Sequence, residues 1–176
     1  MSRIPLIDPN HMNDQQRRQY DRFPSNLTRG LLLTDQRLSE ALPSLANALR
    51  ASSLDPKLRE AVIVRIATLQ DSAYEQLQHA GQVRDVGWSD AEVEAIKAGR
   101  TATLPDDTAA VLDFVDQAVT AGQVDDATFA RVQHVLQPAG IAAVILLVGH
   151  YMMVARFTAI LQIDLDAQAD AWTHEH

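Results

Sequence analysis

The sequence contains no cysteine among its 176 residues. Disulfide bonds, thiolate nucleophiles, iron–sulfur clusters and thiol redox chemistry are therefore all excluded. Stability has to come from an apolar core, and the composition allows one, with 47% hydrophobic and 22% charged residues. A chain of this length can bury one substantial core. We therefore expect one domain over residues 1–176 that folds without a disulfide or a metal.

Positive charge and long apolar runs are also scarce. There are 15 Lys and Arg against 23 Asp and Glu, a net charge of −8, which would repel nucleic acid and anionic membranes. The most apolar stretch, Ala139 to Ala155, contains His150 and is shorter than the roughly 20 residues that cross a bilayer. The start, with Arg3 and Asp8, does not resemble a secretory signal. These features predict a cytoplasmic protein with neither nucleic-acid nor membrane partners.

Patterns typical of strands are missing as well, because no alternation of apolar and polar residues is sustained and no Asn-Gly or Asp-Gly hairpin turn occurs. The sequence predicts an all-α, single-domain helical bundle of about eight helices. An extended arm is expected over 1–12, where Pro5 and Pro9 block helix, and a polar surface tail over 163–176. The predicted helices lie near residues 13–22, 35–50, 57–70, 72–86, 89–99, 105–121, 125–136 and 138–161.

Two of these helices are expected to form the centre of the molecule. Residues 57–70 are apolar on nearly all sides, which indicates a buried helix, and the helix at 72–86 follows almost without a linker. The two should form a helical hairpin. The leucines at 38, 42, 45 and 49 recur at helical spacing and predict a further core stripe.

The polar side chains that are candidates for catalysis or binding are concentrated on this hairpin. Ser72, Glu75 and His79 are three and four residues apart and share one helix face. Glu60 lies in the apolar stripe of the preceding helix, where an unpartnered carboxylate would cost several kcal/mol, so it needs a partner. His79 is the natural one. The alternative is a solvated surface pair formed by Glu75 and His79 at spacing i, i+4.

These residues also carry a family resemblance. The run from Arg59 to Arg65, followed by Ser72-Ala73-Tyr74-Glu75 and His79, resembles the helical hairpin of the carboxymuconolactone decarboxylase and alkylhydroperoxidase D-like superfamily. Leu146 to Phe157 resembles the last long helix of the same superfamily. With the opening Arg3-Ile4-Pro5-Leu6, the resemblance spans Ile4 to Asp164.

Within that superfamily, the hydroperoxidase branch has a Glu, a Cys-x-x-Cys pair and a His. Here Glu60 and His79 remain, whereas Ser72 and Glu75 stand at the cysteine positions, so thiol-dependent peroxide reduction is excluded. The decarboxylase branch keeps a Glu and a His four residues apart, which matches Glu75 and His79. The resemblance thus implies a carboxy-lyase-like enzyme, active in decarboxylation or isomerisation of a small carboxylated or cyclic substrate.

Proton transfer of this kind needs no metal and no organic cofactor, because the conjugated carbonyl of the substrate accepts the electrons. His79 is the candidate proton donor, with Glu60 or Glu75 orienting it and stabilising its charged form. His150 or Tyr151, on the last helix, can line the same cavity; for His150 the alternative is a core histidine bonded to backbone. With Ser72, they are our candidate substrate-binding residues.

Substrate carboxylates call for basic residues, and the sequence offers Arg84 nearby and Arg65 and Arg156 further off. Each is better explained by a structural role, because a lone Arg in an apolar helix usually pairs with a carboxylate of the protein. Their roles stay open.

Two other functions compete with catalysis. A metal centre could use Glu60, Glu75, His79 and His150, although the Glu-x-x-His spacing of di-iron bundles is absent. Alternatively, the chain is a non-catalytic helical oligomer that binds a small apolar ligand. The resemblance implies self-association in either case, from dimer to hexamer.

Overall fold

The computed structural model describes residues 2–167 of the chain. Every regular element within them is helical, which confirms the all-α prediction. The α-helices are α1 Asp14–Arg22, α2 Asn26–Leu31, α3 Gln36–Arg50, α4 Pro56–Leu69, α5 Ala73–His79, α6 Gln82–Asp85, α7 Asp90–Ala98, α8 Asp106–Thr120, α9 Asp126–Val135 and α10 Pro138–Leu161. Short 3-10 turns lie at Pro9–His11 and Thr101–Thr103.

Helix α4 is the centre of the core, as its apolar pattern predicts. Asp55 caps its first turn by accepting a hydrogen bond from the backbone N–H of Leu58 at 3.0 Å, and Pro56 occupies the first position, where no N–H is needed. The helix packs against α5, α7, α8 and α10, so it is surrounded on most of its circumference. Polar side chains on α4 are therefore forced into the interior.

The remaining helix ends follow local sequence signals. Ser89 and Glu92 form the expected capping box at the start of α7, and Asp125 caps α9 through the N–H of Thr128 at 2.7 Å. Gly99 ends α7 in the left-handed conformation at φ 67°, which is costly for any residue with a Cβ. These boundaries need no tertiary information.

Two parts of the helical prediction are wrong. Helix α2 was not expected, because Phe23 to Asn26 carries turn residues; Ser25 instead caps a new helix through the N–H of Thr28 at 3.1 Å. The helix predicted over 72–86 is two helices, α5 and α6, interrupted at Ala80 and Gly81. Side chains satisfy the carbonyls near the break, since Arg84 Nη1 donates to the Ala80 carbonyl at 2.6 Å.

The leucine stripe of α3 is a core stripe only at its end. Leu49 is buried, but Leu42 and Leu45 are half-buried and Leu38 is 59% exposed. Helix α3 packs mainly on α10 and α2, and the stripe has mixed surroundings: Leu45 lies against the core, Leu42 borders a cavity, and Leu38 is exposed to solvent.

The last helix and the segments at both ends of the chain lie together. Helix α10, of 24 residues, is long and apolar enough to cross a membrane, yet it packs on α3, α4 and α8. Arg3 in the predicted arm donates its backbone N–H to the Leu161 carbonyl at 2.8 Å. The predicted surface tail begins with a buried residue, Ile163, whose Cδ1 would lie 2.9 Å from a Cβ added at Gly30. Residues 168–176 of that tail lie outside the described residues.

Candidate active site

A buried carboxylate and a buried imidazole meet between α4 and α5. His79 Nδ1 lies 2.7 Å from Glu60 Oε2, and the two residues are only 3% and 2% exposed. Glu60 is held inside because it faces inward on the central helix; His79 is placed by the short turn that joins α4 to α5. The structure therefore brings together the two groups that the sequence pairs.

The other ring nitrogen of His79 points towards a second carboxylate. His79 Nε2 lies 3.7 Å from Glu75 Oε2, and Glu75 is also buried. The i, i+4 spacing on α5 fixes this approach. The alternative of a solvated surface pair is thus wrong, because both side chains are enclosed by protein.

The environments of the two carboxylates push their pKa values in opposite directions. Burial disfavours ionised Glu60, but the hydrogen bond and charge of His79, followed by Arg59, outweigh it, so the pKa of Glu60 lies below its usual value. Burial raises the pKa of Glu75, and His79 opposes this only in part. An ionised carboxylate on one side of an imidazole and a more basic one on the other form an acid–base pair.

Two arginines support the carboxylate side of this network. Arg59 Nε lies 3.4 Å from Glu60 Oε1, and Arg59 Nη1 donates to the backbone carbonyl of Arg50 at 3.0 Å. Arg50 itself lines the cavity described below, and burial lowers its pKa. A line of polar groups therefore runs from Glu60 through Arg59 to a cation at the cavity.

His150 and Tyr151 reach the same place from α10. The Tyr151 ring makes edge-on contacts with His79 and with His150, at centroid distances of 5.2 and 5.1 Å. Burial, reinforced by the charge of His79, lowers the pKa of His150 to about 4. Burial, followed by the charges of Glu75 and Glu60, raises the pKa of Tyr151 well above 10.0. At neutral pH, His150 is thus an uncharged imidazole and Tyr151 an uncharged phenol.

These groups border a cavity of about 670 Å³. Helices α1, α2 and α3 form one side of the cavity, and helices α5 and α10 form the other. Glu75, His79, His150 and Tyr151 line it, whereas Glu60 stands behind His79 and does not. Ser72 does not line it either: the hydroxyl accepts a hydrogen bond from the N–H of Glu75 at 3.4 Å and caps α5. The remaining lining residues are Gln19, Asp21, Arg22, Phe23, Leu27, Thr28, Leu31, Leu32, Ser39, Glu40, Leu42, Pro43, Ala46, Asn47, Arg50, Ala51, Tyr74, Gln78 and Val154.

None of the three arginines considered from the sequence lines this cavity. Arg65 pairs with Asp116, Arg84 pairs with Asp90 on the surface, and Arg156 is exposed on α10. The cations at the cavity are Arg22 and Arg50 instead. Sequence reasoning missed both because they come from the ends of α1 and α3, remote in sequence from the hairpin.

Two further cavity residues, Tyr74 and Gln78, are bound to the start of the tail. The Tyr74 hydroxyl and Gln78 Nε2 both donate to Asp166 Oδ2, the second at 2.8 Å. The same carboxylate accepts a hydrogen bond from the N–H of Asn26 at 2.7 Å. Gln78 precedes His79 on a buried face, which was a usable signal, but nothing in the sequence connects it with Asp166.

The geometry bears on the metal alternative in one respect. Across residues 2–167, no group of three His, Asp or Glu side chains has an arrangement suited to a metal ion. His79 Nδ1, which such a site could use, is engaged by Glu60. What the arrangement does offer is an imidazole that is oriented on one side and free to exchange a proton with Glu75 or a bound molecule on the other.

Comparisons with known proteins agree with the earlier resemblance. The model of the carboxymuconolactone decarboxylase family matches residues 36–117, which include α3, α4, α5 and the Glu60–His79 pair. No curated protein matches the chain in sequence.

Solved structures show the same fold at low identity. An alkylhydroperoxidase AhpD core protein from Ralstonia eutropha, described as peroxidase-related, is 15% identical over 97% of each chain, with a TM-score of 0.80. A peroxidase-related protein from Silicibacter is 17% identical over 97% of this chain and 94% of its own, also with a TM-score of 0.80. The debrominase Bmp8 in complex with 2,3,4-tribromopyrrole is 15% identical over 98% of this chain and 97% of its own, with a TM-score of 0.76.

Proposed function

We propose, from the match of residues 36–117 to the carboxymuconolactone decarboxylase family model, that the chain is a member of that family and catalyses cofactor-free proton transfer, by decarboxylation or isomerisation, on a small carboxylated or cyclic substrate. The observation that carries the proposal is the position of His79 between two carboxylates with opposite pKa shifts, at the wall of a cavity of about 670 Å³.

Each residue has a defined task in this chemistry. Glu60 accepts the hydrogen bond from His79 Nδ1 and stabilises the imidazolium, so that Nε2 is the atom that exchanges protons. Glu75 is a second proton carrier because burial raises its pKa towards neutrality. Arg50 supplies positive charge at the cavity for a substrate carboxylate.

A decarboxylation of this kind needs no added oxidant or reductant. The bond between carbon and carboxylate breaks, its electron pair moves into the conjugated carbonyl of the substrate, and CO₂ leaves. The resulting enolate takes a proton at carbon from His79, which Glu75 or solvent restores. An isomerisation uses the same groups to remove a proton from one carbon and return it to another.

The cyclic substrate class has modest support from the fold neighbours. The debrominase Bmp8 is seen with a substituted pyrrole, a small ring. This chain has no cysteine, so we propose no thiol step and no reductive dehalogenation for it.

The test uses carboxymuconolactone and cyclic β-keto acids as probes in D₂O. We expect accelerated CO₂ release with one solvent deuteron in the product, measured by NMR. His79→Gln should slow turnover by about 100-fold or more, the usual contribution of a general acid. His134→Gln, at an exposed histidine of α9, is the matched control and should leave the rate unchanged. Equal rates for His79→Gln and the unsubstituted chain would refute the mechanism.

We also propose self-association through α10, with a second copy of the chain as the partner. Ile145, Leu146, Met153 and Ile160 are between 46% and 61% exposed and share one side of α10, which gives an apolar face interrupted by the exposed Arg156. Gly149 lies on the same side of the helix, and a Cβ there would meet nothing within 4 Å, so two such helices can cross closely at this point. A two-fold contact would bring this same face of both copies together.

Light scattering tests this assembly. We expect a dimer or a larger oligomer, up to a hexamer, and a shift to monomer in the Leu146→Glu, Met153→Glu double variant. Leu38→Glu, at a leucine equally exposed on α3, should leave the molar mass unchanged. A monomeric unsubstituted chain would end the proposal. The cytoplasmic location predicted from composition stays a prediction.

A further inference from the structure

Three buried polar atoms in residues 2–167 have no hydrogen-bond partner: Gln19 Nε2, Gln78 Oε1 and His150 Nδ1. All three residues line the same cavity. More than nine in ten buried polar groups in folded proteins are paired, so three exceptions around one space are not expected by chance. The atoms themselves are covered by protein in this structure, so a molecule in the cavity would reach them once the side chains turn inward, and their grouping indicates that the missing partners belong to such a molecule.

The chemical character of each atom follows from the bonds that its side chain already makes. Gln78 gives its Nε2 to Asp166 at 2.8 Å, which leaves Oε1 as an acceptor. Gln19 uses its Oε1 to accept a hydrogen bond from the Ser39 hydroxyl at 3.2 Å, which leaves Nε2 as a donor. The neutral ring of His150 can present Nδ1 in either role, according to its tautomer.

The space between these atoms is apolar and of the size of a small ring compound. Leucines contribute most of the apolar surface, with Val154 and Pro43 on two further sides; they are Leu27, Leu31, Leu32 and Leu42. Cavities from about 300 Å³ upwards are typical of small-molecule sites, and this one measures about 670 Å³. A ligand that satisfies the wall must therefore combine an apolar body with one donor and at least one acceptor.

We propose that the substrate is a ring compound that carries both a hydroxyl or ring N–H, which donates to Gln78 Oε1, and a carbonyl, which accepts from Gln19 Nε2, with His150 Nδ1 completing the polar contacts. The inference rests on the proposed function, since both put the substrate in this cavity. It adds that Gln19, Gln78 and His150 determine specificity.

Four matched probes test the inference by equilibrium binding, measured by ligand-observed NMR. They are 4-hydroxyacetophenone, which has both groups, 4-ethylphenol, which has only the hydroxyl, 4-methylacetophenone, which has only the carbonyl, and 4-ethyltoluene, which has neither. Each hydrogen bond to a buried partner should tighten binding by about fivefold, so the first probe should bind about 25-fold more tightly than the last.

Substitutions assign the two groups to their partners. Gln78→Met should remove the advantage of the hydroxyl and keep that of the carbonyl, whereas Gln19→Met should do the reverse. Gln76→Met, on the same helix α5 but outside the cavity, is the matched control and should change neither. Because Gln78 also holds Asp166, Asp166→Ala is measured in parallel; it should keep the hydroxyl preference, since Oε1 is still present.

Either of two results would overturn the inference: similar affinity for all four probes, or an advantage limited to one polar group. Binding is measured without turnover, so its outcome is distinct from that of the decarboxylation assay. A preference for the hydroxyketone together with normal turnover in His79→Gln would keep the specificity and refute the chemistry. Turnover that depends on His79, without a preference for the hydroxyketone, would keep the chemistry and refute the specificity.

Discussion

Helix α4 carries two buried charged side chains five residues apart, and their surroundings differ. Arg65 donates from Nε and Nη2 to both oxygens of Asp116, at 2.6 and 2.8 Å, and from Nη1 to the Lys97 carbonyl at 2.6 Å. Gly99 packs so closely that a Cβ there would lie 2.7 Å from Nη2. The guanidinium is enclosed and hydrogen-bonded from all three nitrogens, and it does not line the cavity of about 670 Å³.

Glu60 is also buried, but its contacts begin a series of polar groups that reaches the cavity. Its carboxylate holds His79, His79 approaches Glu75, and Glu75 lines a cavity whose wall contains the unpartnered Gln78 and His150. The comparison teaches how to separate buried polarity that stabilises a fold from buried polarity that serves a ligand. In the first case the hydrogen bonds close on themselves, and in the second some of them are left open at a cavity.

The largest effect on stability should come from the closed network. Arg65→Met should lower the free energy of unfolding by about 3 kcal/mol, because Asp116 and the Lys97 carbonyl lose a charged partner. Urea denaturation measures the change. Binding of the ring probes should stay the same, since Arg65 is remote from the cavity.

Arg84→Met is the matched control for this substitution. Arg84 Nε also lies 2.6 Å from a carboxylate, that of Asp90, but both side chains are more than half exposed. A solvated pair of this kind contributes less than about 1 kcal/mol. Equal losses in the two variants would contradict the distinction between enclosed and solvated pairs.

The next effect, of about 2 kcal/mol, concerns the open network and depends on pH. The pKa of His150 falls from 6.5 to about 4 on folding, so between these values the unfolded chain binds a proton that the folded chain does not. Stability is therefore complete above pH 6.5 and is lost as the pH falls. Between about pH 7.5 and pH 5, this term should lower the free energy of unfolding by about 2 kcal/mol.

His150→Phe keeps an aromatic ring of similar size and removes the titration. The stability difference between this variant and the unsubstituted chain should change by that amount over the interval, as measured by thermal unfolding at each pH. The neighbouring groups that titrate or carry charge, His79, Glu75 and Arg50, are present in both proteins and cancel. A difference that is independent of pH would show that the pKa of His150 is the same in the folded and the unfolded chain.

The sequence was a good guide wherever structure depends on nearby residues. The capping box of Ser89 and Glu92, Pro56 and Pro138 at helix starts, and the length of α10 all follow from contacts within one turn. The Glu60–His79 pair could also be anticipated, because a short link between two helices leaves few relative positions for them. Periodicity and short connections depend on residues that are close in the chain, so they can be read from the sequence alone.

The cavity could not be anticipated in the same way. Its outer wall comes from α1 to α3, and Arg50 reaches it only because α3 packs on α10, a contact between segments about 100 residues apart. The contact of Asp166 with Gln78 spans 88 residues. The leucines of α3 misled for the same reason, since periodicity reveals an apolar face and not whether that face meets protein or open space.

The smallest effect, about 1 kcal/mol, tests the link between the buried carboxylate and the imidazole. Glu60→Gln keeps an acceptor for His79 Nδ1 but removes the charge, and a hydrogen bond to a neutral acceptor is weaker than one to a carboxylate. The pKa of Glu60 is lowered on folding because His79 and Arg59 outweigh the cost of burial. The ionised form is therefore the one that the fold stabilises.

The contribution of Glu60 to stability comes from a favoured charged form, whereas that of His150 comes from a favoured neutral form. Both contributions are lost as the pH falls. That of Glu60 is complete above about pH 4.5, where the unfolded carboxyl is ionised, and is lost as the pH falls through the lower pKa of the folded state. The deficit of Glu60→Gln should thus shrink as the pH falls below about 4.5. Glu94→Gln, at an exposed ion pair with Lys97, should show a deficit below about 0.5 kcal/mol at every pH. If instead the deficit of Glu60→Gln grew in acid, the carboxyl would be neutral in the fold, and His79 would lack the anion that orients it.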